Sequence, residues 1–325
     1  MAVTAMAAIE ETPTGGLLGS CPAMRELREQ IASFAASELS IHVFGETGTG
    51  KERVARALHA HSPRRHGPFV AFNAAGFTDE LMEAELFGHA RGAFTGALTD
   101  REGFVAAAEG GTLFLDELAE LTARAQAKLL RFLQEREYRR VGETLARRAD
   151  VRVLSATNVD LAVRVEEDRF RQDLWFRLRD ERLVVPPLRE RGADVRLLAR
   201  HLLRRDAERQ GRPRPVLGAA AEAALERYSW PGNVRQLDSE MRRVLVVAPP
   251  GALVEPRHLS AEVRSAAERG PRGCLRAALR TFERDYLRRA LDRNGGVRTA
   301  AAAELGITRQ ALVSKIRRLG VCAGG

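Results

Sequence analysis

Cysteine is nearly absent: Cys21, Cys274 and Cys322 are three in number, far apart and unpaired by count. Such spacing supports neither a disulfide framework nor a zinc site, and points to a reducing, cytoplasmic setting. No apolar run approaches the roughly 18 residues of a membrane span, so no membrane partner is expected. Residues 1–14 hold Glu10 and Glu11 but no basic start and no apolar core, so no secretory signal is read there. Lysine is scarce as well, three residues beside 49 arginines, so each lysine position calls for a reason.

What is present is an ordinary globular mixture, 45% hydrophobic and 29% charged over 325 residues, enough for two or three domains with a sizeable core. The net charge of +9 is unevenly spread. Residues 271–325 hold twelve Lys/Arg against four Asp/Glu, leaving a nearly neutral body and a basic tail. A basic tail suits contact with nucleic acid; the bland alternative is a solvated basic helix.

Short apolar runs at 41–44, 69–72, 113–115 and 151–154 read as buried strands separated by helix-length sequence. That alternation predicts an α/β fold with a parallel sheet. From 192 to 248 the pattern is helical only, with Val195, Leu197, Leu198, Leu202 and Leu203 on one stripe and Val234, Leu237, Met241, Val244 and Leu245 on another. Pro249-Pro250-Gly251 breaks that run. The expected organisation is a leader (1–16), an α/β domain (17–190), a helical domain (191–248), a linker (249–273) and a helical tail (274–325).

After the first strand comes Gly45-Glu46-Thr47-Gly48-Thr49-Gly50-Lys51, the G-x-x-x-x-G-K of a phosphate loop opening a helix. Glycines let backbone amides curl around a phosphate, the helix N-terminus favours its charge, and Lys51 neutralises the β and γ phosphates. A Gly-rich turn is the structural alternative. Glu52 stands where a magnesium-binding hydroxyl usually sits, so a metal there needs other ligands. The apolar strand ending in Asp116-Glu117 supplies them: Asp116 is placed to hold Mg2+ beside the phosphates of ATP, and Glu117 to polarise an attacking water. In isolation, such a pair is as readily a helix cap.

The stretch Glu85-Leu86-Phe87-Gly88-His89-Ala90-Arg91-Gly92-Ala93-Phe94-Thr95-Gly96-Ala97 is the most distinctive. Its tip is an aromatic flanked by glycines, which reads as an exposed contact that can be raised and withdrawn, or alternatively as a buried hairpin turn. The sequence of Gly92 to Ala97 resembles the signature loop of sigma-54-dependent transcriptional activators, the NtrC/NifA-type enhancer-binding proteins, and the likeness extends over nearly the whole chain from about Leu17 to Val321. It implies an AAA+ P-loop ATPase with a helical lid, followed by a Fis-type helix-turn-helix domain. In that family the loop touches the sigma-54 subunit of RNA polymerase, and Glu after the loop lysine is typical.

By the same resemblance Asn73 is a polar switch that holds Glu117, and Thr157 and Asn158 form a sensor of the γ-phosphate. Phe170-Arg171-Gln172-Asp173-Leu174-Trp175-Phe176-Arg177-Leu178 resembles the segment with two arginine fingers, so that Arg171 and Arg177 serve a neighbouring subunit's nucleotide. A guanidinium supplied in trans stabilises charge on the transferring phosphoryl group. Trp230-Pro231-Gly232-Asn233-Val234-Arg235 resembles the second sensor, with Arg235 reaching the nucleotide in cis.

In the tail, Phe282, Tyr286, Leu287 and Leu291 form an apolar stripe. Ala300 to Leu305 is a short helix, Gly306 a turn, and Thr308 the cap of a helix running to about Leu319. This reads as helix-turn-helix. Arg309 and Gln310 are candidates for base contacts on double-stranded DNA, and Arg298, Thr308, Lys315 and Arg318 for the backbone. A dimerising helical hairpin is the alternative.

Together these readings predict a ring-forming ATPase, a hexamer, that binds upstream DNA and uses ATP hydrolysis to open the sigma-54 polymerase complex. The rivals are a DNA-binding regulator with a merely structural ATPase module, and an AAA+ machine with another client. Because the ATPase region begins by about Leu17, the sequence predicts control by a regulatory protein in trans or by expression level.

Overall fold

Helix α1 (Pro22–Ala35) opens on a proline and buries Met24, Leu27, Ile31 and Ala35, the spacing of one helical face. In this computed structural model, which describes residues 17–268, 275–294 and 297–319, it leads into the first strand of a parallel sheet. Strand β1 (Ile41–Phe44) is followed by α2 (Lys51–Ala60), β2 (Phe69–Asn73), α3 (Asp79–Phe87), α4 (Phe104–Ala107) and β3 (Thr112–Asp116). Helix α5 (Ala123–Glu135), capped by Thr122, leads to the short antiparallel pair β4 (Glu137–Tyr138) and β5 (Arg147–Arg148). Strand β6 (Arg152–Thr157), α6 (Leu161–Glu166), α7 (Gln172–Leu178) and β7 (Glu181–Val184) complete this part.

The sheet order is β2-β3-β6-β1-β7, every neighbouring pair parallel. Period-two alternation divides the strands between two apolar layers. Leu113 and Leu115 face a cluster with Phe72, Phe132 and Trp175, while Phe114 faces one with Ile41, Val43, Leu58 and Leu183. The four strands expected from apolar runs all form. The fifth, β7, is an edge strand whose Glu181 and Arg182 conceal its apolar half.

The sheet interior also holds polar pairs. His42 Nδ1 lies 3.0 Å from Ser155 Oγ across β1 and β6, and its ring meets Trp175 of α7 edge-on at 4.9 Å. Burial, reinforced by Arg182, Arg179 and Lys51, pushes the His42 pKa down to about 3.

Beyond the sheet, α8 (Asp194–Arg209), β8 (Val216–Leu217), α9 (Ala219–Arg227) and α10 (Asn233–Val247) form the helical domain around the fully buried Trp230, whose indole donates to Leu225 O at 2.8 Å. The expected linker contains structure instead. β9 (Leu253–Val254) pairs with β8, α11 spans Ala261–Glu268, and Val254, Leu259 and Val263 join the helical core. Three apolar side chains spaced among polar ones sufficed to dock it, too few to show as a periodic pattern. Residues 269–273 of that stretch, like the leader 1–16, lie outside the described residues.

A second unit begins at residue 268. Its helices α12 (Leu275–Arg293), α13 (Arg298–Glu304) and α14 (Arg309–Leu319) enclose Leu287, Leu291, Ala301, Ala302 and Leu312. The expected apolar stripe is split. Leu287 and Leu291 are buried, whereas Phe282 and Tyr286 are exposed and stack on each other at 5.7 Å. Among the described residues no helix is long and apolar enough to cross a membrane.

Candidate functional site

The phosphate loop springs from the carboxyl end of β1, between β6 and β7 in the sheet, and ends at the start of α2. Gly48 has φ +78°, and a Cβ there would lie 2.4 Å from Gly232 O, so both conformation and close approach require glycine. Lys51 is buried, its Nζ donating to Gly45 O at 3.0 Å. Burial lowers its pKa, opposed by the nearby Glu117 and Asp116 carboxylates.

Asp116 ends β3 and Glu117 follows in the left-handed region at φ 51°, its N–H donating to Asp116 Oδ1 at 3.0 Å. Burial raises the pKa of both carboxyls against the pull of Lys51. Thr47, Gly48, Thr49, Gly50, Lys51, Glu52, Asp116, Glu117 and Arg235 line one cavity of about 310 Å³, which continues past Leu17, Leu18, His201 and Val234. A glycine-rich loop at a helix start, the buried cations Lys51 and Arg191 and two carboxylates, with apolar groups beyond them, suit a nucleotide.

The carboxylates fit a magnesium ion sparingly. Among the described residues no cluster of three or more His, Cys, Asp or Glu could hold a metal. Glu52 turns outward to Arg56, at 2.7 Å. One half-buried carboxylate completed by phosphate oxygens and waters can hold magnesium, and Asp116 suits that role.

The remaining expected residues are placed as follows. Asn73 pairs in register with Asp116 on the adjacent strand, but its Oδ1 accepts from Ala75 N–H at 2.8 Å, an Asx turn, rather than engaging Glu117. Thr157 is fully buried, its Oγ1 accepting from Val159 N–H at 3.1 Å. Asn158 Nδ2 donates to Thr47 Oγ1 at 2.8 Å and so touches the phosphate loop itself. Arg171 and Arg177 are exposed and are not among the residues lining the cavity; Arg171 pairs with Asp173 at 2.8 Å and Arg177 donates to Leu133 O at 3.3 Å.

Three residues that hold the phosphate loop had no individual role in the sequence reading, though two lie in the stretch that resembles the family's junction into the lid and one in the second-sensor motif. Arg189 forms a two-pronged ion pair with Glu46, at 2.8 and 2.6 Å, which holds the Glu46 carboxyl below its usual pKa. Asn233 is fully buried and binds Glu46 and Thr47; Arg191 is buried and binds Thr49. The signal for Asn233 lay in its own motif, where an Asn follows a glycine at a helix start.

In the distinctive loop, Gly92 N–H donates to Ala97 O at 2.8 Å and closes the tip. Phe94 is half-buried rather than exposed, its ring edge-on to His89 at 5.0 Å. Thr95 and Gly96 are exposed, and Leu98 is, among the described residues, the large apolar side chain most open to solvent, at 81%. Backbone pairing of His89 with Arg101 anchors the base, and Ala90 N–H bonds to Val141 O at 2.9 Å. In the second unit Thr308 Oγ1 accepts from Ala311 N–H at 3.2 Å, the expected cap. Arg298, Thr308, Arg309 and Gln310 are exposed, Lys315 pairs with Glu283, and the Arg318 side chain lies outside the described residues.

Comparison with known proteins matches residues 17–184 to the sigma-54 interaction domain, 189–273 to the AAA+ ATPase lid domain, and 278–319 to the Fis family of bacterial regulatory proteins. The chain is 43% identical to the transcriptional regulatory protein ZraR of Salmonella typhimurium over 93% of its own length and 68% of that protein's. To the response regulator PilR of Pseudomonas aeruginosa it is 42% identical over 96% and 72%. The crystal structure of Brucella abortus NtrX in complex with ATP is similar at a TM-score of 0.73 and 37% identity, covering 94% of this chain and 70% of that one. The chain therefore belongs to the family of sigma-54-dependent transcriptional activators, built from a sigma-54 interaction domain, an AAA+ lid and a Fis-type helix-turn-helix.

Proposed function

We propose that the chain assembles into a ring, a hexamer, that hydrolyses ATP between adjacent subunits and uses the loop around Phe94 to remodel the sigma-54 RNA polymerase complex from closed to open. The tail holds the ring at an upstream site on double-stranded DNA. The observation that carries this reading is a division of residues. Lys51, Asp116, Glu117 and Arg235 share one cavity, whereas Arg171 and Arg177 stand exposed outside it. A cavity whose lining omits Arg171 and Arg177, on a chain that displays both at its surface, suits a nucleotide shared by two copies.

In this reading Lys51 and the amides of residues 48–51 bind and orient the β and γ phosphates. Magnesium, when bound, neutralises phosphate charge, and Asp116 would hold it. Glu117 orients the attacking water and takes up its proton, for which a carboxyl pKa raised by burial suits a general base. Thr157 and Asn158 stand at the end of β6 against the phosphate loop, where γ-phosphate loss is felt. Asn73 leaves its turn to engage Glu117 as nucleotide state changes. Arg171 and Arg177, released from Asp173 and Leu133 O, reach the γ-phosphate of a neighbour and make hydrolysis depend on assembly. Thr95 and Phe94 of the Gly92–Ala97 loop deliver the motion to sigma-54. Arg309 and Gln310 read bases while Arg298, Thr308, Lys315 and Arg318 bind phosphates.

Transcription from a sigma-54 promoter in a purified system tests the proposal. Open complexes are expected only with the chain and hydrolysable ATP together. Equal promoter opening with a non-hydrolysable ATP analogue would overturn it.

A further inference from the structure

The phosphate loop is gripped from outside by the lid. Asn233 Nδ2 donates to Thr47 O at 3.0 Å, the Arg235 N–H donates to Gly48 O at 3.3 Å, and Arg191 Nη2 donates to Thr49 O at 2.9 Å. Three consecutive carbonyls of the loop are thus each bonded by a group from beyond the sheet. Asn233 is itself held: its Oδ1 accepts from Leu188 N–H at 2.8 Å and its Nδ2 also reaches Glu46 Oε2 at 3.1 Å. It sits at φ 52°, a left-handed conformation that asparagine tolerates better than most residues. Arg191 is fixed by two further bonds to Pro186 O, at 3.0 and 2.9 Å.

A trans peptide is planar, with its carbonyl and the following N–H on opposite sides. Pinning the carbonyls of Thr47, Gly48 and Thr49 outward therefore turns the N–H groups of Gly48 and Gly50 inward, toward the cavity that Lys51 lines. Thr49 N–H closes a turn onto Glu46 O at 3.3 Å, and those of Gly48 and Gly50 flank it. A glycine-rich loop left alone spends entropy to adopt such an anion-binding concavity; a loop already held does not.

We propose that Asn233 and Arg191, the latter also lining the cavity, are positioning residues for nucleotide binding: through Thr47 O and Thr49 O they hold the peptide planes of residues 47–50 so that the Gly48 and Gly50 amides face the phosphates. This rests on the nucleotide reading of the cavity given above. By linkage, phosphate binding in turn strengthens the lid's grip, so lid position and phosphate occupancy report on each other.

The test compares ADP with AMP, because the β-phosphate is what the pinned amides serve. Binding of both to the full chain is measured by calorimetry for the native protein, Asn233→Asp and Arg191→Lys, with the thermal midpoint of each. Asn233→Asp keeps shape and backbone tolerance but removes the donor; Arg191→Lys keeps charge and loses the planar fork. We expect ADP affinity to fall about tenfold or more in each, with AMP affinity changed less than about threefold. Equal ADP affinity in native and variant proteins would overturn the proposal, as would parallel loss of ADP and AMP binding, which marks general damage to the fold. Where Asn233→Asp does not fold, Arg191→Lys decides by the same ratio. Failure of the native chain to bind ADP would instead refute the nucleotide reading itself.

Discussion

Asn158 Nδ2 and Thr47 Oγ1 lie 2.8 Å apart, which ties the end of β6 to the phosphate loop across 111 residues of sequence. A donor so placed can exchange the hydroxyl for a phosphate oxygen without moving its backbone. Asn158→Ala is expected to lower kcat and kcat/KM together, by about tenfold to a hundredfold, the pattern for an interaction made in the transition state. Steady-state ATPase kinetics check this; a rise in KM with kcat unchanged would assign Asn158 to ground-state binding.

Glu117→Gln keeps the shape of the residue beside Asp116 and removes its basicity. ATP turnover is expected to fall about a hundredfold or more while ATP binding persists. Full turnover by this variant would take Glu117 out of the role. In the native chain, burial raises the Glu117 pKa, so the acid limb of kcat/KM against pH, which reports the free enzyme, should lie above the titration of an exposed glutamate.

His42 gives a stability prediction with a definite sign. Its folded pKa, about 3, lies below the unfolded value, so its contribution is complete above about pH 6.5 and lost as pH falls from there toward 3. Between pH 6.5 and 5 this one group should cost about 2 kcal/mol of unfolding free energy. Urea unfolding of native protein and His42→Gln at the two pH values measures the difference, and identical pH dependence in both would contradict it.

The roles proposed for the tail residues predict different losses on substitution. Arg309→Ala should weaken binding to the cognate site by about tenfold to a hundredfold and relax preference at one base. Arg298→Ala should weaken all sequences alike and reduce the salt slope by about one. Titration of specific and unrelated duplexes at several salt concentrations distinguishes them.

What the sequence made legible follows from where the chemistry lies. The phosphate loop and the Asp116-Glu117 pair are contiguous in sequence and work largely through backbone and short side chains, so their pattern is their function. The lid's hold on the loop joins Glu46 to Arg189 and Asn233 at separations of 143 and 187 residues, and nothing local encodes it. Strand β7 was hidden because an edge strand needs only half an apolar pattern. The docking of 253–268 on the lid rests on three apolar residues in a charged stretch, which composition alone averages away. Phe94 was expected in solvent; its resting contact is the imidazole five positions earlier, a seat that a hairpin closing at Gly92 and Ala97 creates.

The central claim is that hydrolysis drives the Phe94 loop against sigma-54. The measurement that tests it most directly is promoter melting by the Phe94→Ala chain, followed beside its own ATP turnover in the purified sigma-54 system. Continued hydrolysis with open-complex formation lost is expected. Promoter melting at the native rate by Phe94→Ala would contradict it.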